Sequence, residues 1–395
     1  MLILRLLLLL LLALPASAQS YGKLHRKAIV VDTHNDVLSS ATMNGLSIEE
    51  DLRGRTHSDI GRLQQGGVDV QVFSIFCDER YGKGTAFAYA NREIDSLHAI
   101  IRRNPSRMTM VRSPKDLEQA VRKGQLGCMI GVEGGHMIED NLAYLDSLYH
   151  RGARYLTLTW NNSTSWASSA KDETAGTVPN SKKGLNDLGR QIVQRMNTLG
   201  MMVDVSHIGE QTFWDVMAIT TKPVIASHSC AYALCPHSRN LTDEQIRAIG
   251  RNGGVVHLNF YSGFIDSNYM KRKEAFLSGH RPERDSLRKA GMTSYGIDEY
   301  FARKYPAEAE GLRPPLSLLL DHMDHIVKLI GPNGVGLGSD FDGIESAPRP
   351  LDDVTAMPLL TKGLLERGYS KKDIRKILGG NFIRVFKANS LQVDK

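Results

Sequence analysis

Eight short apolar runs, rich in β-branched residues, punctuate the chain: Ile29–Val31, Val68–Phe73, Cys128–Val132, Tyr155–Thr159, Met202–Val205, Val224–Ala226, Val255–Asn259 and Val335–Leu337. Each is nearly continuous in apolar character rather than alternating, as expected of strands covered on both faces in a parallel sheet. Between most of them lie amphipathic stretches of helical length, such as Leu142–Arg151, Leu185–Leu199 and Asp243–Ile249, followed by Gly152, Gly200 and Gly250 at the expected helix ends. Alternation with eight repeats predicts an α/β fold, a closed (β/α)8 TIM-like barrel, with an open doubly wound sheet as the alternative. The segment Ile265–Pro315 breaks the rhythm, being rich in Lys, Arg and Glu and carrying helical stretches without a strand. It reads as a helical insertion before the last strand, more a solvated arm than a substrate lid.

The N-terminus holds Arg5, the apolar run Leu6–Leu14, Pro15 and then Ala16-Ser17-Ala18, which is the layout of a cleaved secretory signal. The expected organisation is a signal peptide at 1–18 and one barrel domain over 19–395. The apolar run is far shorter than the roughly 20 residues needed to cross a bilayer, so no stable membrane anchor is expected after cleavage. Export to a periplasm or a secretory pathway follows. Acidic and basic residues are interspersed despite a net charge of +6, which argues against nucleic acid as a partner. A homodimer is compatible with the sequence. Cys77, Cys128, Cys230 and Cys235 form no CxxC pair, and only Cys230 and Cys235 are close enough in sequence to suggest a bridge.

Ligand-type residues fall just past the predicted strand ends, where a barrel places its active site. The first strand runs into Asp32-Thr33-His34-Asn35-Asp36, so His34 and Asp36 share one face while Asp32 lies deeper, as a support. The third ends in Glu133, the fifth in Ser206-His207, the sixth in Ser227-His228-Ser229, and the eighth in Ser339-Asp340-Phe341-Asp342. One such histidine is usually structural, but three histidines and three carboxylates at successive strand ends are hard to obtain from core packing, which rarely buries charge. Imidazole and carboxylate without thiolate suits zinc, with manganese or iron as the alternatives. Six candidate side chains exceed what one catalytic zinc uses, so two ions are expected, with Glu133 lying between the His34/Asp36 and His207/His228 pairs as their bridge.

VDTHND at 31–36, GVEGGH at 131–136, RYLTLT at 154–159, DVSH at 204–207, SHS at 227–229, SRN at 238–240 and GSDFDG at 338–343 together resemble the membrane (renal) dipeptidase family. The likeness covers nearly all of 24–386 outside the insertion. It implies that His34, Asp36 and Glu133 hold one zinc, and Glu133, His207 and His228 the other. A metal-bridging hydroxide would then hydrolyse dipeptides with broad side-chain tolerance, C-terminal D-residues included. Asp340, counted with Glu133 as catalytic, would handle the proton, and Arg239 would bind the substrate's free carboxylate. The sequence departs from the family at Trp160, where a substrate-holding His is common; Trp166 could shape the same rim. His136 reads as support behind Glu133. Two further readings accompany this one: an exported amidohydrolase acting on a cyclic amide, lactam or lactone, and an exported binding protein weakened in catalysis.

Overall fold

The computed structural model describes residues 16–391, so the apolar run Leu6–Leu14 lies outside the described residues. The described residues form nine parallel strands: β1 (Val31–Asn35), β2 (Val70–Phe76), β3 (Met108–Met110), β4 (Leu126–Glu133), β5 (Ala153–Thr157), β6 (Met202–Asp204), β7 (Ile225–Ala226), β8 (Val255–Leu258) and β9 (Val335–Leu337). Their order is β2-β1-β9-β8-β7-β6-β5-β4, and pairing of β2 with β4 over seven registers from Val70↔Gly127 to Phe76↔Glu133 closes the ring into the eight-stranded barrel. The doubly wound alternative is thereby excluded. Every predicted strand is present.

The ninth strand, β3, has no counterpart in the sequence expectation. It pairs only with the first residues of β4, Leu126 to Cys128, below the point where β5 takes over at Ile130. Three residues are too few to produce a readable period. β1 also starts later than expected and runs through the polar Thr33, His34 and Asn35, all completely buried, because the ladders to β2 and β9 carry it past its apolar stretch.

Helices Leu142–Arg151 and Asp187–Leu199 end at Gly152 and Gly200 as expected. Gly250 does not end its helix, which continues to Arg251. A Cβ at Gly250 would lie 2.5 Å from Ile330 Cγ2, so this glycine permits close packing on helix Leu316–Ile330. All four cysteines are buried free thiols: Cys230 and Cys235 are not bridged, and their Sγ atoms face the carbonyls of Asn259 and Gly263. Among the described residues, no helix is long and apolar enough to cross a membrane.

Between β8 and β9 the chain forms helices Tyr269–Gly279, Arg281–Lys289, Ser294–Lys304 and Pro306–Leu312, with a small apolar cluster of Leu277, Ile297 and Phe301. Lys273 Nζ lies 2.6 Å from both Asp298 and Glu345, tying this layer to the loop that follows β9. Its residues Thr293, Glu299 and Arg303 line the cavity at the barrel mouth, so the segment is a wall of that cavity rather than a detached solvated arm.

Candidate active site

The C-terminal ends of the strands open into a cavity of about 820 Å³, with Asp36, Glu133, Trp160, His207, Arg239 and Asp340 in its lining. β1 and the segment after β9 are zipped together there: Asp340 N–H donates to the His34 carbonyl at 3.1 Å, and Asp36 N–H donates to the Phe341 carbonyl at 2.9 Å. This pairing brings the first and last strand ends into one group although they lie some 300 residues apart. Asp32, expected as a support, accepts from Ser339 N and Ser339 Oγ at 2.8 and 2.6 Å, and so holds the β9 end against β1. Burial raises its pKa to about 6.

Glu133 stands at the centre. Its Oε2 lies 3.5 Å from His34 Nε2, which is 3.3 Å from Asp36 Oδ2. Its Oε1 lies 2.9 Å from His207 Nε2 and 3.4 Å from His228 Nε2, and those two nitrogens are 2.9 Å apart. One carboxylate therefore presents one oxygen to each histidine set. Asp340 Oδ1 is 4.0 Å from His34 Nε2.

The ring orientations follow from hydrogen bonds behind them. Tyr155 OH donates to the Thr33 carbonyl at 3.0 Å, so towards His34 Nδ1, 2.9 Å away, it must act as acceptor. His34 then carries its proton on Nδ1 and turns the Nε2 lone pair towards Asp36 and Glu133. The same logic fixes His228: Ser227 Oγ donates to Asp204 Oδ2 at 2.6 Å and accepts from His228 Nδ1 at 2.8 Å, leaving the Nε2 lone pair facing Glu133 and His207. Asp204 also accepts from Ser227 N and Thr157 Oγ1, which locks the relay. Such outer partners fix ligand tautomer and ring direction.

Lone pairs and carboxylates converging without a cation repel one another, which is how the residues test for a metal. His34 Nε2 and Asp36 Oδ1 are buried and make no hydrogen bond. Two three-residue groups, His34/Glu133/His228 and His34/Asp36/Asp340, bring their ligand atoms within 4.8 Å of one another. Ligands about 2.0–2.2 Å from a tetrahedral ion lie roughly 3.3–3.6 Å from each other. The His34–Asp36, His34–Glu133 and His228–Glu133 spacings fall within that range. The donor set fits.

Burial and neighbouring charge hold two of the three histidines neutral. Burial, then the charge of Arg239, pushes His207 down to about 3, and burial likewise holds His228 well below its ordinary value, so both are neutral and able to act as ligands. Burial opposes ionisation of Glu133, but a charge on His34 and hydrogen bonds from His207 and His228 hold it well below the usual carboxylate range. Burial likewise opposes a charge on His34, yet Tyr155, Asp36 and Glu133 together raise it well above its ordinary value, so in the metal-free cluster Nε2 binds a second proton whose place a cation would take. Burial pushes Asp340 well above its ordinary value. Both His207 and Asp340 adopt left-handed backbone, with φ of 66° and 61°, a conformation that costs a non-glycine residue roughly 1–2 kcal/mol and that recurs at functional sites.

Across the mouth, Arg239 is 6% exposed and has no carboxylate within ion-pair distance among the described residues. Its Nη2 makes a long 3.4 Å bond to the His228 carbonyl, its Nε is unpartnered, and its guanidinium lies over the Phe264 ring at 5.5 Å. Asn240 locks the turn that carries it, donating to the Cys235 and Phe264 carbonyls and accepting from Cys230 N. A buried guanidinium with spare donors is a site for a carboxylate.

The sequence profile of membrane dipeptidase (peptidase family M19) matches residues 18–394. The chain belongs to this family. Across 393 aligned residues it is 33% identical to an uncharacterized dipeptidase of Schizosaccharomyces pombe, covering 94% of this chain and 83% of that one. The probable dipeptidase PvdM of Pseudomonas aeruginosa superposes with a TM-score of 0.76 at 25% identity, covering 94% of this chain and 98% of that one. A metallo peptidase of Rhodobacter sphaeroides, liganded with a phosphinate mimic of the dipeptide L-Ala-D-Ala, shares the fold with a TM-score of 0.73 at 24% identity over 92% and 100% of the two chains. The protein is thus a metal-dependent dipeptidase, a hydrolase of dipeptide substrates.

In this member of the family, the structure brings His34, Asp36, Glu133, His207, His228 and Asp340 together, with Arg239 and Trp160 on the walls of the same cavity. Two expected neighbours stand elsewhere. His136 Nε2 bonds to the Cys77 carbonyl at 2.9 Å and not to Glu133. Trp166 is 1% exposed, packed beneath Gly135, and does not reach the rim. Sequence reasoning missed Tyr155, Asn259 and the Asp204–Ser227 relay. Gly131 was a usable signal: a Cβ there would lie 1.9 Å from the Tyr155 ring, so the glycine makes room for the tyrosine behind His34. Tyr155→Phe removes the acceptor that fixes the His34 tautomer, and metal affinity should fall about 10- to 100-fold by chelator competition, with no change in fold by circular dichroism.

Proposed function

We propose that the protein holds two divalent cations and that both are zinc, one held by His34, Asp36 and Glu133 and the other by Glu133, His207 and His228. The observation that carries this reading is the division of the Glu133 oxygens between two imidazole sets whose lone pairs converge on them. Bound there, the cations would acidify the attacking water and polarise the peptide carbonyl.

The chain's own residues supply the remainder. Asn259 Nδ2 donates to Asp340 Oδ2 at 2.8 Å, which leaves Oδ1 directed at the cluster. Asp340 takes the proton of the attacking water and passes it to the leaving nitrogen. Arg239 pairs with the free carboxylate of the C-terminal residue and so sets the length of the substrate. A clamp that reads only the carboxylate is indifferent to configuration at the adjacent Cα, which supports acceptance of C-terminal D-residues, as does the L-Ala-D-Ala mimic held by the Rhodobacter peptidase.

The test is metal analysis with a dipeptide panel. Purified protein should bind two zinc equivalents and release amino acids from L,L- and L,D-dipeptides. Asp340→Asn should retain both metals and lose about 10²- to 10⁴-fold in kcat. Full activity of that variant rules out Asp340 as the proton carrier. We also place the protein outside the cytoplasm, on the strength of the Arg5 to Ala18 leader. Intact mass of the native protein should correspond to a start near Gln19, and a start at Met1 counts against export.

A further inference from the structure

Four aromatic side chains with no part in the hydrolytic chemistry stand on one side of the active-site cavity. The rings of Phe76 and Trp160 pack at 4.9 Å, and those of Tyr81 and Tyr89 at 4.7 Å. Phe76 is the last residue of β2 and Trp160 follows β5, so the first pair flanks Glu133 at the end of β4. Both tyrosines lie in the connection from β2 to β3. Phe76, Tyr89 and Trp160 are half-buried and Tyr81 is 37% exposed, leaving ring surface open to the cavity. The wall is anchored from behind, since Phe76 N–H donates to the fully buried Glu93 at 2.9 Å.

Arg239 follows β7, halfway round the eight-strand ring from β2. A dipeptide with its carboxylate on Arg239 and its peptide bond over Glu133 directs its N-terminal residue towards the aromatic side. The cavity, at about 820 Å³, is of the size that encloses drug-sized ligands and exceeds what two small residues fill. Trp160 presents an apolar face there and carries no charge near neutral pH.

We propose that Phe76, Tyr81, Tyr89 and Trp160 form the subsite for the N-terminal side chain, and that the enzyme prefers dipeptides whose N-terminal residue is aromatic or large and apolar. This narrows the broad tolerance expected from the family resemblance, and it rests on the reading of Arg239 as the carboxylate clamp. Arg55 lines the same cavity and makes no ion pair among the described residues, so an acidic N-terminal residue is the competing occupant.

Zinc-loaded wild type assayed with Gly-Ala, Ala-Ala, Glu-Ala, Phe-Ala, Trp-Ala and the reversed Ala-Phe tests the subsite. Burial of one aromatic side chain predicts kcat/KM for Phe-Ala and Trp-Ala about 10- to 100-fold above Gly-Ala, chiefly through KM, with a much smaller gain for Ala-Phe. Free L-phenylalanine should compete as product more tightly than L-alanine by a similar factor. Trp160→Ala should compress the Phe-Ala to Gly-Ala ratio to within about threefold and Trp160→Phe should keep most of it; if the alanine variant does not fold, Tyr81→Ala replaces it. Equal kcat/KM across the panel, a preference for Glu-Ala, or an unchanged ratio in the folded variants overturns the subsite. Absence of hydrolysis of every dipeptide would instead overturn the reading on which it rests.

Discussion

Glu133→Gln loses about 10³-fold or more in kcat/KM for every dipeptide, and the purified variant retains at most one zinc equivalent. The carboxylate supplies one oxygen to the His34/Asp36 side and the other to the His207/His228 side. An amide of the same shape offers one oxygen and one NH2 group, so one of the two cation positions would meet donor hydrogens in place of a ligand oxygen. It also removes the negative charge that offsets two dications in a group that is 4% exposed. Losing several kcal/mol of charge stabilisation at the reacting centre corresponds to that fall in rate. Plasma emission spectrometry on the same preparations separates loss of metal from loss of chemistry. A variant with two zinc equivalents and wild-type kcat/KM would remove Glu133 from the bridge.

Arg239→Met is expected to lower kcat/KM for free dipeptides by about 30- to 1,000-fold while changing turnover of dipeptide amides by less than about threefold. The guanidinium is buried with its Nε unpartnered, and losing one member of a desolvated charge pair on binding costs about 2–5 kcal/mol. Burial depresses its pKa only to about 10, so Arg239 is cationic throughout the neutral range. The loss should fall mainly on KM, because the carboxylate is held alike in ground and transition states. Methionine keeps the apolar contact with Phe264, so stability is little affected. Wild type that hydrolyses free and amidated dipeptides equally well counts against the clamp and reopens the cyclic-amide and lactam readings.

The metal-ligand residue types were readable along the chain because a closed parallel barrel puts every strand end at one rim, so that residues such as His34, Glu133 and His228 need only follow an apolar run to be candidates. Their supports were not readable in that way. Tyr155 lies inside β5, where a tyrosine looks like core, and only the room made by Gly131 across the β4–β5 ladder turns its hydroxyl onto His34. Asp204 likewise reads as a polar end to an apolar strand, until the β6–β7 pairing sets it against Ser227 and His228. The Ile265–Pro315 segment was legible as an interruption but not as a cavity wall. Its charged residues resemble a solvent face, and the Lys273–Glu345 contact that folds it over the mouth spans 72 positions.

By itself, then, the amino-acid order determined the strand count of the barrel, the residue types at its rim and the family, since these depend on local periodicity and on short runs of adjacent residues. Tertiary structure alone decided which oxygen of Glu133 faces which imidazole, which nitrogen of His34 and His228 is turned to the cluster, that His207 and Asp340 take left-handed backbone, and that Trp160 packs at a tilt against Phe76 while Trp166 is buried. Those are matters of direction and of a few tenths of an ångström between side chains far apart in sequence. They arise only when the β2–β4 pairing closes the ring and the segment after β9 zips onto β1.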